Sequence, residues 1–225
     1  PADLLAAARR SAEANLIATL SAVCIDHDSR VADRADRSTA FHEGLISLVQ
    51  KAPVTHQAYL SDGTVEIELT MKMNGGFSQF VLPEEIRQID SVTTLLSSKA
   101  PDGGVTAEPH TGLIIDAGGL DARPCMVPVV VDENQAVVYG PAFVSREFAV
   151  SHGMSGYATT VAAARSDKRV GDRPLIVKAI RTGPAGNANL IISGTDAARL
   201  RSSVVNLKLL KACRVSIVMD PKGHP

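Results

Sequence analysis

A few short runs of this sequence carry residue types that could do chemistry. Asp26-His27-Asp28 sets two carboxylates around an imidazole, a donor set suited to a divalent metal. Side chains alternate in an extended segment, so His27 is expected to face away from its neighbours, and the trio reads as a solvated strand end. Gly153-Met154-Ser155-Gly156-Tyr157 has the outline of a serine nucleophile elbow. Tyr157 stands where the last small residue belongs, however, and no strand pattern leads into the run. His152 with Ser151 and Tyr157 could gather beside a cleft, and ordinary loop polarity accounts for the same residues. Glu66 and Glu68 lie about 7 Å apart along one strand face, a spacing shared by paired catalytic carboxylates and by any exposed hairpin. Ala117-Gly118-Gly119 follows a strand pattern but lacks the third glycine of a phosphate-binding loop. No HExxH or C-x-x-C spacing occurs, so the reading is of no catalytic residues, no cofactor and no metal. A hydrolase assembled only by folding is a minor alternative.

The elements that must position these residues are legible from periodicity. Leu5, Ala8, Ala12, Leu16, Leu20 and Val23 recur at helical spacing. After a short stretch at Cys24-Ile25 and a polar run from Asp26 to Arg37, Phe41, Leu45, Leu48 and Val49 repeat the pattern, with Ser38 or Thr39 as N-cap. Val65, Ile67, Leu69, Met71 and Met73 alternate with polar residues. Val54 to Leu60 alternate upstream, and Ser61-Asp62-Gly63-Thr64 supplies the turn of an antiparallel hairpin. Val65 and Ile67 are expected to face the helix pair. The first module therefore reads helix, strand, helix, hairpin.

Beyond an irregular stretch with the Pro101-Asp102-Gly103-Gly104 turn cluster come strands at Thr111 to Asp116, Met126 to Val131 and Ala136 to Tyr139. Tyr157 to Arg165 reads as an Ala-rich helix. Leu175 to Ile180 and Asn189 to Ser193 read as a hairpin around a Gly/Pro/Asn loop. Ser193 and Asp196 have capping-box spacing and open one final helix, whose stripe is Leu200, Val204, Leu207 and Leu210. Val215 to Met219 closes the chain as a strand. The fold class is α+β in two modules: N-terminal helices on an antiparallel hairpin over 1–90, an irregular linker over 91–110, and a mixed α/β sheet with a capping helix over 111–225.

Composition narrows the function classes. The chain has 225 residues, 45% apolar, with 23 Lys and Arg against 24 Asp and Glu, and so lacks the positive surplus of a general nucleic-acid binder. Aromatic residues make up 4% and Trp is absent, which leaves little for stacking on bases or sugars. The longest apolar runs fall well short of the roughly 20 residues of a transmembrane helix. The chain opens at Pro1 on a helical pattern with no signal-peptide signature. Its 3 Cys are widely spaced and read as isolated buried thiols, with one disulfide and a spare thiol as the alternative.

Thr111-Gly112-Leu113-Ile114-Ile115-Asp116, Arg123-Pro124, Val131-Asp132-Glu133 and Val138-Tyr139-Gly140 together resemble the FlgP-like flagellar assembly lipoproteins and their periplasmic relatives. The order continues through Gly156-Tyr157, Ala162-Ala163-Ala164-Arg165, Arg169-Val170-Gly171, Pro174 to Ala179, and Ile192-Ser193 with Asp196-Ala197-Ala198. In the first module, Ala7 to Ala12 and Tyr59 to Ile67 are similar as well. The resemblance implies a non-catalytic, periplasmic, homo-oligomeric structural or assembly protein, associated with the outer membrane and with other envelope or flagellar proteins. No lipobox Cys opens this sequence, so the lipid anchor is not carried over. Gly118 stands where a basic residue is expected, so no anion-binding role is carried to that turn. Asp116, Asp121, Arg123 and Tyr157, from the turns of the resembling segment, are the candidate interaction residues. A periplasmic ligand-binding or sensory module, with loops Ser151 to Tyr157 and Thr182 to Asn189 around a cleft, is the alternative function.

Overall fold

The computed structural model describes residues 2–86, 109–183 and 186–221, so the linker expected over 91–110 lies almost wholly outside the described residues. The N-terminal part holds α1 (Ala2–Ser21), α2 (Val31–Arg37) and α3 (Thr39–Gln50), then an antiparallel pair, β1 (Val54–Tyr59) and β2 (Val65–Leu69). Of the two expected caps, Ser38 rather than Thr39 caps α3, its hydroxyl accepting from the Phe41 amide at 3.2 Å. β2 packs on α1, and its half-buried Val65 and Ile67 alternate with exposed Glu66 and Glu68.

Two expectations here are corrected. The polar run after Cys24, read without a helix, contains α2, because Asp33 accepts from the Arg30 amide at 2.7 Å and starts one. The alternation past Leu69 does not continue the strand: Met73–Phe77 forms an irregular turn in which Gly75 takes φ +78. Cys24 itself makes only a single antiparallel bridge, to Arg30. A short helix, α4 (Ser78–Val81), follows that turn. Arg34 donates to the Val81 carbonyl and Arg146 to that of Gln79, so guanidinium groups supply hydrogen bonds to carbonyls that α4 leaves unmatched, and Arg146 also donates to the Pro83 carbonyl just beyond the helix.

The C-terminal part is a seven-stranded mixed sheet. Its strands are β3 (Gly112–Asp116), β4 (Val129–Asp132), β5 (Val137–Tyr139), β6 (Gly156–Ala158), β7 (Pro174–Gly183), β8 (Gly186–Ile192) and β9 (Val215–Val218), in the order β5-β4-β8-β7-β3-β9-β6. β7 and β8 form the expected antiparallel hairpin, and β3 runs parallel to both β7 and β9. β3 is apolar over successive residues because both faces are covered. Ile114 packs with Ala164 of α6 (Val161–Arg165), while Leu113 and Ile115 face the larger core with Leu210 of α8 (Val204–Lys211). That larger core also takes in Leu20, Ile25, Leu45, Val49 and Phe77, joining the N-terminal helices to the sheet in one buried cluster.

Three further boundaries move. β4 starts after Pro128, which has no N–H to give to a ladder. The helix expected over Tyr157 to Arg165 is divided: Gly156–Ala158 pairs with Ser216–Val218 as the sheet's edge strand, and Thr160 then caps α6 by accepting from the Ala163 amide. The single final helix is two, α7 (Gly194–Arg201) and α8. Ser193 caps the first through the Asp196 amide, as the capping-box spacing implied, and Ser203 opens the second by accepting from the Val205 amide. The break resets the helical phase, so Val204 is 51% exposed although Leu200 and Leu210 are buried.

Candidate functional site

A cleft of about 870 Å³ opens where the Ala22–Asp33 segment meets the loop after β3 and the entry to β6. Its apolar surface includes Val23, Leu82, Met126 and Met154, and its polar side includes Arg30, Arg123 and Tyr157. Backbone hydrogen bonds hold the two walls together: the Met126 amide donates to the Cys24 carbonyl at 3.0 Å and the Val127 amide to the Ile25 carbonyl at 2.7 Å. Arg169 braces a third wall by donating to the carbonyls of His152, Gly153 and Cys213. A left-handed Gly153, at φ +77, lets α5 (Arg146–His152) stop there and turn into β6.

The carboxylates of the cleft serve its own backbone. Asp26 Oδ1 accepts from the Asp28 and Ser29 amides and from the Ser29 hydroxyl, which folds the segment into a tight turn. That turn overturns the expectation for His27: its Nε2 lies 2.8 Å from Asp28 Oδ2 rather than facing away. No group of three potential metal ligands occurs among the described residues. The guanidinium groups are placed differently. Arg30 and Arg123 are exposed at the cleft and make no ion pair among the described residues, yet both lie close enough to the Cys24 thiol to favour its ionised form.

Burial dominates the thiols themselves. It raises Cys24 above the ordinary cysteine value, against the opposing pull of Arg30, and pushes Cys125 up to about 12. The Tyr157 hydroxyl is tied to the Cys125 backbone and lies 4.0 Å from the Cys125 sulfur; loss of solvent raises this phenol well above its usual range.

Of the four candidate interaction residues, the fold brings Arg123 and Tyr157 into the cleft. Asp116 and Asp121 do not line it. Asp116 Oδ1 accepts from the Gly118 amide at 3.1 Å beyond the end of β3, beside the Gly119 amide that donates to Asp220. Asp121 sits at φ 46 on the connecting turn. Ser155 lines the cleft, but His152 Nδ1 meets Ser151 Oγ at 2.8 Å, so the structure shows no hydrogen bond pairing that imidazole with Ser155. Sequence reading missed Arg30 and the two cysteines as cleft residues. Their one signal was the clustering of Cys24 with charged neighbours, which does not reveal that Cys125 lines the same cleft. The loop at Gly153 to Tyr157 does border the cleft, but the loop expected over Thr182 to Asn189 is largely strand, and Ala188, which also lines the cleft, belongs to β8.

These elements define a mixed α/β sheet domain preceded by a helix-and-hairpin segment, with the cleft between them. Residues 112–221 match the family model described as Treponema pallidum Tp0624, second domain. The match starts at the first residue of β3 and takes in all seven strands of the larger sheet. No curated protein matches the chain. Arg123, Cys125 and Tyr157 lie inside the matched span, whereas Cys24 and Arg30 precede it.

Proposed function

We propose that the chain is a non-catalytic binding module whose cleft takes a small amphipathic anion, in keeping with the ligand-binding reading of the sequence. The supporting observation is that Arg30 and Arg123 flank an apolar floor with no ion-pair partner among the described residues, while the neighbouring aspartates are engaged with His27 and the backbone. A carboxylate gains charge-assisted hydrogen bonds from guanidinium groups, and an attached hydrocarbon covers apolar surface otherwise facing water. The bacterial envelope as its setting, and a link to the flagellum, rest on the sequence resemblance. No described helix is long and apolar enough to cross a membrane.

The test is a thermal-shift and calorimetric comparison of octanoate with inorganic phosphate, on the parent protein and on Arg30→Gln and Arg123→Gln. Octanoate should raise the unfolding midpoint of the parent, because a ligand that binds only the folded state stabilises it. Both variants should lose most of that shift. No shift with either anion, or an equal shift in the variants, rejects the reading.

Self-association is a second reading, supported by the hairpin. Among the described residues β1 and β2 form a two-stranded sheet with no further strand paired to it, and Tyr59 and Leu60 beside the turn are 64% and 41% exposed. Such edges offer backbone groups to another copy. Light scattering over a concentration series should then show a reversible oligomer that Tyr59→Lys weakens; a monomer throughout argues against it.

A further inference from the structure

We propose that Cys24 and Cys125 are a redox pair that closes to a disulfide across the cleft wall. All three cysteines are free thiols in the structure, and Cys24 and Cys125 both line the cleft. The successive bonds from Met126 N–H to Cys24 C=O and from Val127 N–H to Ile25 C=O run in the same chain direction. Consecutive carbonyls accept from consecutive amides, so the contact is no regular ladder, but its offset sets residue 125 beside residue 24 on adjoining backbone segments, and both residues line the same cleft. Closing a disulfide requires the Cys24 thiol to turn from the Asp26 carbonyl, to which it donates at 3.1 Å, toward the Cys125 sulfur. The two thiols also sense one another electrostatically, and Cys213 is absent from the charges acting on either. Cys24 is half-buried and Cys125 buried, which sets the order of events.

With oxidised glutathione as oxidant, the Cys24 thiolate attacks one glutathione sulfur, forms a mixed disulfide and releases one glutathione thiolate. Cys125 then loses its proton, attacks Cys24 Sγ and expels the second glutathione. Two protein thiols are oxidised to one disulfide, one glutathione disulfide is reduced to two thiols, and the protons leaving the cysteines are taken up by the released glutathione. The bond pins the Asp26 turn to the loop carrying Arg123. It does not depend on what occupies the cleft.

The experiment equilibrates the native protein with oxidised glutathione, blocks remaining thiols and maps peptides without reduction. The expected product is a Cys24–Cys125 crosslink with Cys213 alkylated only after unfolding, and a rise in the unfolding midpoint that dithiothreitol reverses. Cys213→Ser should keep the crosslink, whereas Cys125→Ser should stop at the Cys24–glutathione adduct. The wild-type protein stopping at that adduct overturns the proposal, as does a crosslink through Cys213. Because mapping is done on the wild-type chain, a variant that fails to fold leaves the decision intact.

Discussion

The Tyr157 hydroxyl accepts from the Cys125 amide at 3.1 Å and donates to the Cys125 carbonyl at 2.6 Å, so one phenol satisfies both backbone groups of a buried residue. This fastens the edge strand β6 to the loop that carries Arg123 and forms one wall of the cleft. Tyr157→Phe keeps the ring and strands both groups. A loss of about 1–3 kcal/mol in urea unfolding is expected, as for other buried groups deprived of a partner. An unchanged midpoint would mean that water replaces the hydroxyl without cost.

Native-state alkylation should separate the thiols. Cys125 is pushed up to about 12 and Cys213 up to about 11, both chiefly by burial, and each remains a thiol well above neutral pH. Cys24 is also raised, but it is only half-buried and has Arg30 beside it. Iodoacetamide should therefore modify Cys24 first, faster at pH 9 than at pH 7, with the other two reacting as the protein opens. Mass mapping of a time course checks the order, and early modification of Cys213 would contradict it.

Asp132 organises the β4–β5 turn, accepting from the Asn134 and Ala136 amides and from Arg201 at 2.9 Å. Its hydrogen bond with the Arg201 side chain is the largest influence holding its carboxyl below the usual range. A carboxylate whose folded pKa is depressed contributes stability above the ordinary Asp value of about 3.9, and that contribution disappears as pH falls through the folded value. Asp132→Asn should be less stable than the parent at pH 7, and the gap should narrow below about pH 4. Urea unfolding at several pH values checks this; a gap independent of pH removes the ion pair as its cause.

Gly112 opens β3 against the Asp167–Val170 turn. A Cβ there would lie 2.5 Å from both Val170 Cα and Val170 O, backbone atoms that cannot swing aside. Gly112→Ala should cost at least about 1–3 kcal/mol, the usual scale of overpacking. A thermal midpoint equal to the parent's would show that the Val170 turn yields.

Ile67 lies on the β2 face packed against α1. Ile67→Asp places a charge on that interface and should release the hairpin to protease before the larger sheet is cut. Equal resistance in the variant and the parent would place the face in solvent.

How much of this was legible depended on the range of the physics involved. The hairpin, the Ser38 and Ser193 caps and the apolar β3 follow from neighbours a few residues apart, so periodicity and cap chemistry sufficed. The α2 start at Arg30–Asp33 was equally local but lacked the apolar repeat that marks a helix. Tyr157 shows the limit: beside an Ala-rich run it looks helical, and only β9, some sixty positions away, makes it a strand. Likewise, sequence by itself determined an α+β chain with hairpins, capped helices and little capacity for stacking chemistry. Tertiary structure alone decided that Cys24 and Cys125 line one cleft, that Arg30 and Arg123 both act on the Cys24 thiol, and that Asp116 and Asp121 stay outside the cleft. These juxtapositions depend on pairings between distant segments, whose register is set by burying the N-terminal helices and the sheet in one core.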